Sequence, residues 1–304
     1  MVLSHLYSAV MRGRWFIDLR DVESSHRILE QVISGSSEMS GTEQLSDRKP
    51  MTVQFIAGTE MRSSSSFSSQ DIPDESVALV PVHGTMLKYG TYCAYGTTEI
   101  ADMIYEAANN PKMAGVVLDI DSGGGSVDAI APLVSALDYC RKLGKVTIAH
   151  CDLCASAAYY TAIYCDEIIA NNAISSEFGS IGVMMSFPDY AKYYESEGIK
   201  IHTIYSDLSN YKNAPFEAAK KGEYELIKSE ELNPLAKAFQ DCVKERRSKL
   251  DLSVPGIVAG RMFYAGDALK YGLIDSMGDK QYAINRVRER RRDAVVSDYL
   301  NSKS

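Results

Sequence analysis

Lys145-Val146-Thr147-Ile148-Ala149-His150, followed closely by Cys154-Ala155-Ser156-Ala157-Ala158-Tyr159-Tyr160, decides how this chain is read. The first stretch is β-branched and apolar and predicts a buried strand. The second opens an alanine-rich run from Ala155 to Ala162 and predicts a packed helix. Ser156 stands where one becomes the other. A serine in the first turn of a helix lies near unpaired backbone N–H groups and the positive end of the helix dipole, which favour a developing oxyanion, so the position suits a nucleophile. An ordinary helix-capping serine is the competing reading of this segment taken alone.

Moving towards the N-terminus, Ala114-Gly115-Val116-Val117-Leu118-Asp119-Ile120 predicts a short strand buried on both faces. Asp121-Ser122-Gly123-Gly124-Gly125-Ser126-Val127 follows it directly. Successive glycines permit close backbone approach and angles closed to other residues, so their amides can form an anion-binding nest. A plain strand-to-helix turn explains one glycine. A phosphate-binding loop needs a lysine followed by Ser or Thr, and the dinucleotide fingerprint needs another glycine spacing; neither is present.

These segments, in this order, resemble the signal peptide peptidase A family of serine proteases, which includes phage head maturation proteases and shares its fold with the Clp protease subunit and the crotonases. The resemblance runs from about residue 76 to 282. It takes in Val80-Pro81-Val82-His83-Gly84, the two segments above, Gly179-Ser180-Ile181-Gly182-Val183, Gly260-Arg261-Met262-Phe263-Tyr264 and Gly272-Leu273-Ile274-Asp275. Gly123 stands where the family carries proline, and Ala157-Ala158 where it carries two glycines. The resemblance implies an α/β, Clp/crotonase-like layered fold of repeated β-β-α units, with an N-terminal arm. It implies Ser156 as nucleophile and the amides around Gly124, Gly125 and Ala157 as the oxyanion hole.

A serine hydroxyl needs a base. Of five histidines, only His202 follows Ser156, and it falls in the alternating run Lys200-Ile201-His202-Thr203-Ile204-Tyr205, read as a strand with His202 facing solvent. The resemblance instead implies a lysine just after that strand, which here is Lys212, in a polar loop. A lysine acts as a base only when neutral, so burial or cationic neighbours are required. The resemblance also gives Ser180 the part of orienting that lysine, and it implies a ring-like homo-oligomer with serine from one subunit and lysine from the next.

Length and composition agree with a soluble enzyme. The 304 residues carry a net charge of −8, which argues against general binding to nucleic acid or anionic membranes. Six cysteines include the pair Cys151 and Cys154, the spacing of half a zinc site or a redox pair, but no second pair accompanies it. Buried free thiols are expected, and neither metal nor cofactor. No run of eighteen apolar residues and no basic start with an apolar core is present, so no membrane anchor is expected.

Expected domains are a helical arm over 1–35 with a helical pattern from Val22 to Ile33, a flexible linker over 36–75 around one short strand at Met51-Thr52-Val53-Gln54-Phe55-Ile56 and containing the serine run from Ser63 to Ser69, the protease domain over 76–285, and a charged tail over 286–304. Helices are expected at Thr98 to Asn109, Asp128 to Leu143, Ala155 to Tyr164 and Asp189 to Glu197, and through much of Phe216 to Leu250 with a break at Pro234. The arginine cluster from Arg286 to Arg292 is read first as a solvated face of a C-terminal helix and second as a contact with an acidic partner. The expected activity is that of a serine endopeptidase acting on capsid or scaffold proteins during phage head maturation, in the cytoplasm of a bacterial host. A soluble cellular peptidase, an inactive capsid assembly component and a crotonase-like acyl-CoA enzyme are the alternatives.

Overall fold

The computed structural model describes residues 14–17, 53–90, 94–187, 189 and 191–301. The helix expected from Val22 to Ile33 lies outside the described residues, as does Cys93. Strands β1 (Arg14–Ile17), β2 (Val53–Ala57), β3 (Glu60–Ser64), β4 (Ser76–His83), β5 (Met113–Ser122) and β6 (Gly124–Ser126) are followed by β7 (Val146–Ala155), β8 (Glu167–Ala170), β9 (Glu177–Gly179), β10 (Met184–Met185), β11 (Met262–Tyr264) and β12 (Ser276–Met277). The main sheet runs β11-β9-β7-β5-β4-β2-β3, with β8 paired to β7 and β12 to β8. Its centre, β4, β5 and β7, is parallel. Helices α1 (Thr97–Asn109) and α2 (Ile130–Lys142) connect these strands, which makes the architecture mixed α/β around a central sheet.

The parallel strands lack polar alternation because both faces are covered. Ala78, Val80, Leu118 and Ala149 contribute to the large core that includes Ile104 of α1 and Leu133 of α2. Val77, Leu79, Val117 and Ile148 face the other way, onto Ala283, Ile284 and Val287. Those three belong to the long C-terminal helix, Lys280–Asn301. Its arginines are not simply a solvated face. Arg286 and Arg290 both hydrogen-bond the nearly buried Glu167 of β8, Arg290 Nε at 2.7 Å, while Arg291 pairs with Glu75 at 3.3 Å. Burial disfavours the charged form of Glu167, but the two guanidiniums outweigh it and hold its carboxyl below the usual range.

On that same face Asp119 of β5 accepts from Lys280 Nζ at 2.8 Å and lies 3.5 Å from His83 Nε2 and 3.7 Å from His150 Nδ1. Burial would raise Asp119; the bonds from His150, His83 and Lys280 prevail and hold it well below the usual carboxylate range. The hydrogen bond to Asp119 in turn raises His83 above an ordinary histidine. A folded value above the unfolded one means that His83 contributes stability fully below about pH 6.5 and loses that contribution as pH rises through the raised value. His83→Gln should therefore flatten the fall in stability on the alkaline side of pH 6.5, as read by urea midpoints across pH.

Residues 53–75, expected to be mostly linker, form a hairpin and a packed return. Strand β2 pairs antiparallel with both β3 and β4. Phe67 and Ile72 are buried, and the serine run is held by α1, with Glu106 accepting from Ser66 Oγ at 2.7 Å and Asn110 donating to the Phe67 carbonyl at 2.7 Å. Exposed polar side chains on the edge strand β3 make this segment look like a linker in composition.

The strand expected over Lys200 to Tyr205 is absent: those residues form no strand, and Ile201 and Ile204 are 67% and 90% exposed. Downstream, a helical run from Glu225 passes through a π-helical turn, Lys228–Leu232, into Asn233–Arg246. The π turn coincides with the missing N–H of Pro234, which cannot continue the regular ladder. No helix among the described residues is long and apolar enough to cross a membrane.

Candidate active site

Strand β7 ends at Ala155 and the next helix, α3 (Ala157–Ala162), starts two residues later, so Ser156 alone makes the turn. It does so with φ 54° and ψ −114°, a conformation costly for any residue with a Cβ. Its N–H donates to the Gly179 carbonyl at 2.9 Å and its carbonyl accepts from Tyr160 at 2.8 Å. The side chain makes no capping hydrogen bond, so capping does not explain the serine. Helix α3 itself is anchored by Tyr159, fully buried, whose hydroxyl donates to the Leu273 carbonyl at 2.8 Å.

Pairing of Ser122 with Cys154 sets the glycine loop beside this elbow, and α3 packs on β6. The loop is braced from within and from outside. Ser122 Oγ donates to the Gly84 carbonyl at 2.6 Å and accepts from the Gly124 N–H at 3.1 Å. Met86 straps one edge of β6: its N–H donates to Gly124 O at 2.8 Å, and its carbonyl accepts from Ser126 at 2.9 Å. Gly124 has φ 104°, open to glycine. At Gly125 a Cβ would lie 1.9 Å from the Met86 carbonyl oxygen. Ala157, first residue of α3, has no intrahelical acceptor for its N–H. An anion held between this loop and the start of α3 would meet backbone donors, with no cationic side chain required.

Ser180 also lies at this junction, with φ 52° and its N–H on the Arg261 carbonyl at 3.1 Å, one residue after the carbonyl that holds Ser156. The structure thus brings Ser156, the glycine loop, Ala157 and Ser180 together. It does not bring Lys212 to them. Lys212 sits exposed in the turn before helix Ala214–Lys220, its ammonium without a hydrogen bond or ion pair among the described residues. His202 is exposed as well. Exposure withholds from Lys212 the burial that a lysine base requires.

Ser122, Met86 and the Gly179 carbonyl shape the site without having been assigned roles from sequence. Ser122 sat in the glycine motif and could have been singled out; Met86 gave no local signal, because its part depends on pairing with a distant strand. Cys151 and Cys154 are buried in the core, and burial pushes the Cys151 thiol well up, away from the thiolate that a metal or redox site uses.

A model of the family described as Peptidase family S49 matches residues 141–293, half of the chain, including Ser156, Ser180 and Lys212. The chain is 26% identical over 237 residues to Protease 4 of Haemophilus influenzae, covering 75% of this chain and 37% of that protein. It is 24% identical over 220 residues to Capsid assembly protease C of Escherichia phage lambda, covering 70% of this chain and 49% of that protein. In both cases it spans about half of the relative's length or less. The solved structure of a mutant of the 1510-N membrane-bound stomatin-specific protease superposes with a TM-score of 0.44 at 15% identity, covering 72% of this chain and 84% of that one.

Proposed function

The chain belongs to peptidase family S49, and on that premise we propose that it is a serine endopeptidase with Ser156 as nucleophile. The observation that carries this reading is the strained, uncapped Ser156 at a strand-helix elbow beside the braced glycine loop. In the reaction Ser156 Oγ attacks the peptide carbonyl and passes its proton to Lys212. The oxyanion is held by amides of Gly124, Gly125 and Ala157, with the Gly124 N–H turning to it from Ser122 Oγ. Lys212 then protonates the leaving amine, and water releases the acyl group from Ser156. Ser180 positions the lysine.

Lys212 becomes a base on assembly. The segment leading to it exposes Ile199, Ile201, Ile204, Leu208 and Tyr211, the last three 90%, 97% and 59% exposed, an apolar stretch that a second copy of the chain would cover. Burying that face buries Lys212 against the neighbour's Ser156, which supplies what the lone chain lacks. We assign the natural substrate to capsid or scaffold proteins of a phage prohead in the host cytoplasm, a reading supported by the similarity to Capsid assembly protease C.

Mixing tests the shared site. Ser156→Ala and Lys212→Ala chains, each inactive alone on casein, should regain activity when subunits exchange, up to about a quarter of the wild-type level for random neighbours in a ring. A site contained within one chain predicts no recovery in demonstrated mixed oligomers. Loss of activity in His202→Ala, with Lys212→Ala at the wild-type rate, would move the base to His202.

A further inference from the structure

Apart from the main sheet, β10, β1 and β6 form a three-stranded sheet of their own. The middle strand is the N-terminal segment Arg14–Ile17. It pairs antiparallel on one side with the glycine loop, Trp15 opposite Ser126, Phe16 opposite Gly125 and Ile17 opposite Gly124. On the other side Arg14 and Trp15 lie opposite Met185 and Met184. Among the described residues, the strands flanking it, β6 and β10, are joined in this sheet only through it. Met86 takes the other edge of β6, so the edge occupied by β1 is the one left for a further strand.

That edge lies at the candidate catalytic centre. Gly124 and Gly125 are the loop residues assigned to the oxyanion, and β10 follows the Gly179–Ser180 junction that holds the Ser156 backbone. A chain running between β6 and β10 is therefore an extended peptide laid along the oxyanion loop, the arrangement by which strand addition recognises substrates through main-chain hydrogen bonds. Ser156 is only 1% exposed, as expected of a nucleophile in an occupied site rather than an open one.

We propose that Arg14–Ile17 occupies the slot of an extended protein substrate, so that the chain carries its own tethered competitor. This rests on the peptidase reading. A slot between two strand edges holds one strand at a time, so an external substrate binds only to the fraction of molecules whose tether has left, and its apparent KM rises in proportion. The recognised substrates are accordingly unfolded or extended segments, read by their backbone.

The test uses the full-length chain carrying Phe16→Pro, which removes one ladder N–H and disfavours the strand. Two readouts are followed: hydrogen exchange of the amides of Gly125, Met184 and Met185, with the Gly124 and Ser126 amides, held by Ser122 and Met86, and those of β5 as controls for folding, and hydrolysis of an unstructured fluorogenic peptide. Expected are exchange at least about ten-fold faster at Gly125, Met184 and Met185 with the controls unchanged, and a KM lowered about ten-fold at constant kcat, which corresponds to a slot about nine-tenths occupied in the wild type. Unchanged exchange overturns the occupancy. Faster exchange with an unchanged or higher KM overturns the competition. Should neither protein hydrolyse any peptide, the peptidase reading fails, while exchange still decides whether the segment fills the slot.

Discussion

Ser156→Ala is expected to abolish peptide hydrolysis, by on the order of a million-fold in kcat, the scale seen when a serine protease loses its nucleophile. Stability should hardly change. The serine makes no capping bond that alanine would lose, and alanine carries the same Cβ at the same φ of 54°. Were Ser156 a cap, alanine would cost about 0.5–2 kcal/mol and leave any activity in place. Ser156→Gly sharpens the contrast. It should be as inactive as alanine yet more stable, by about 1 kcal/mol or more, because glycine relieves a backbone conformation that costs roughly 1–3 kcal/mol. Thermal or urea melts of the three proteins, beside their hydrolysis rates, check both halves. A less stable glycine variant would remove the argument that strain is held at this position for function.

Gly125→Ala should also damage catalysis severely, though less than loss of the nucleophile and through a different cause. The added Cβ would lie 1.9 Å from the Met86 carbonyl oxygen and 2.5 Å from its carbon, both backbone atoms that cannot step aside cheaply. The loop must move off its strap, and the amides of Gly124 and Gly125 move with it. Loss of one oxyanion donor typically costs about 10²–10³-fold in kcat, about 2.7–4 kcal/mol, and a displaced loop should cost at least that. Labelling of Ser156 by a small electrophile should survive better than peptide hydrolysis, since attack needs the elbow whereas turnover needs the loop. A Gly125→Ala enzyme with wild-type kcat would place the oxyanion elsewhere.

The parts legible in sequence were those whose cause is local. Strands such as Val116–Ile120 and Val146–His150 announce burial on both faces by their unbroken apolar runs, and the turn at Ser156 is marked where β-branched residues give way to alanines. What escaped depends on partners far along the chain. The serine run after Glu60 looks like a linker until Glu106 of α1 and Asn110, just past its end, hold it. Arg286 and Arg290 look solvated until Glu167 meets them from β8. The alternating run through His202 has the period of a strand, but among the described residues no strand is there for it to join, and its apolar residues stay exposed. The same contrast holds for the pair proposed for catalysis: Ser156 is fixed by its own strand-helix junction, whereas Lys212 stands exposed in a turn whose own neighbours do not bury it.

The central claim, that Ser156 is an activated nucleophile, is tested most directly by treating the full-length protein with a fluorophosphonate and mapping the adduct by peptide mass spectrometry. The account predicts a single modified residue, Ser156, with labelling lost in Ser156→Ala and slowed in Lys212→Ala. Modification of a different serine, or none in a protein that cleaves casein, would contradict it.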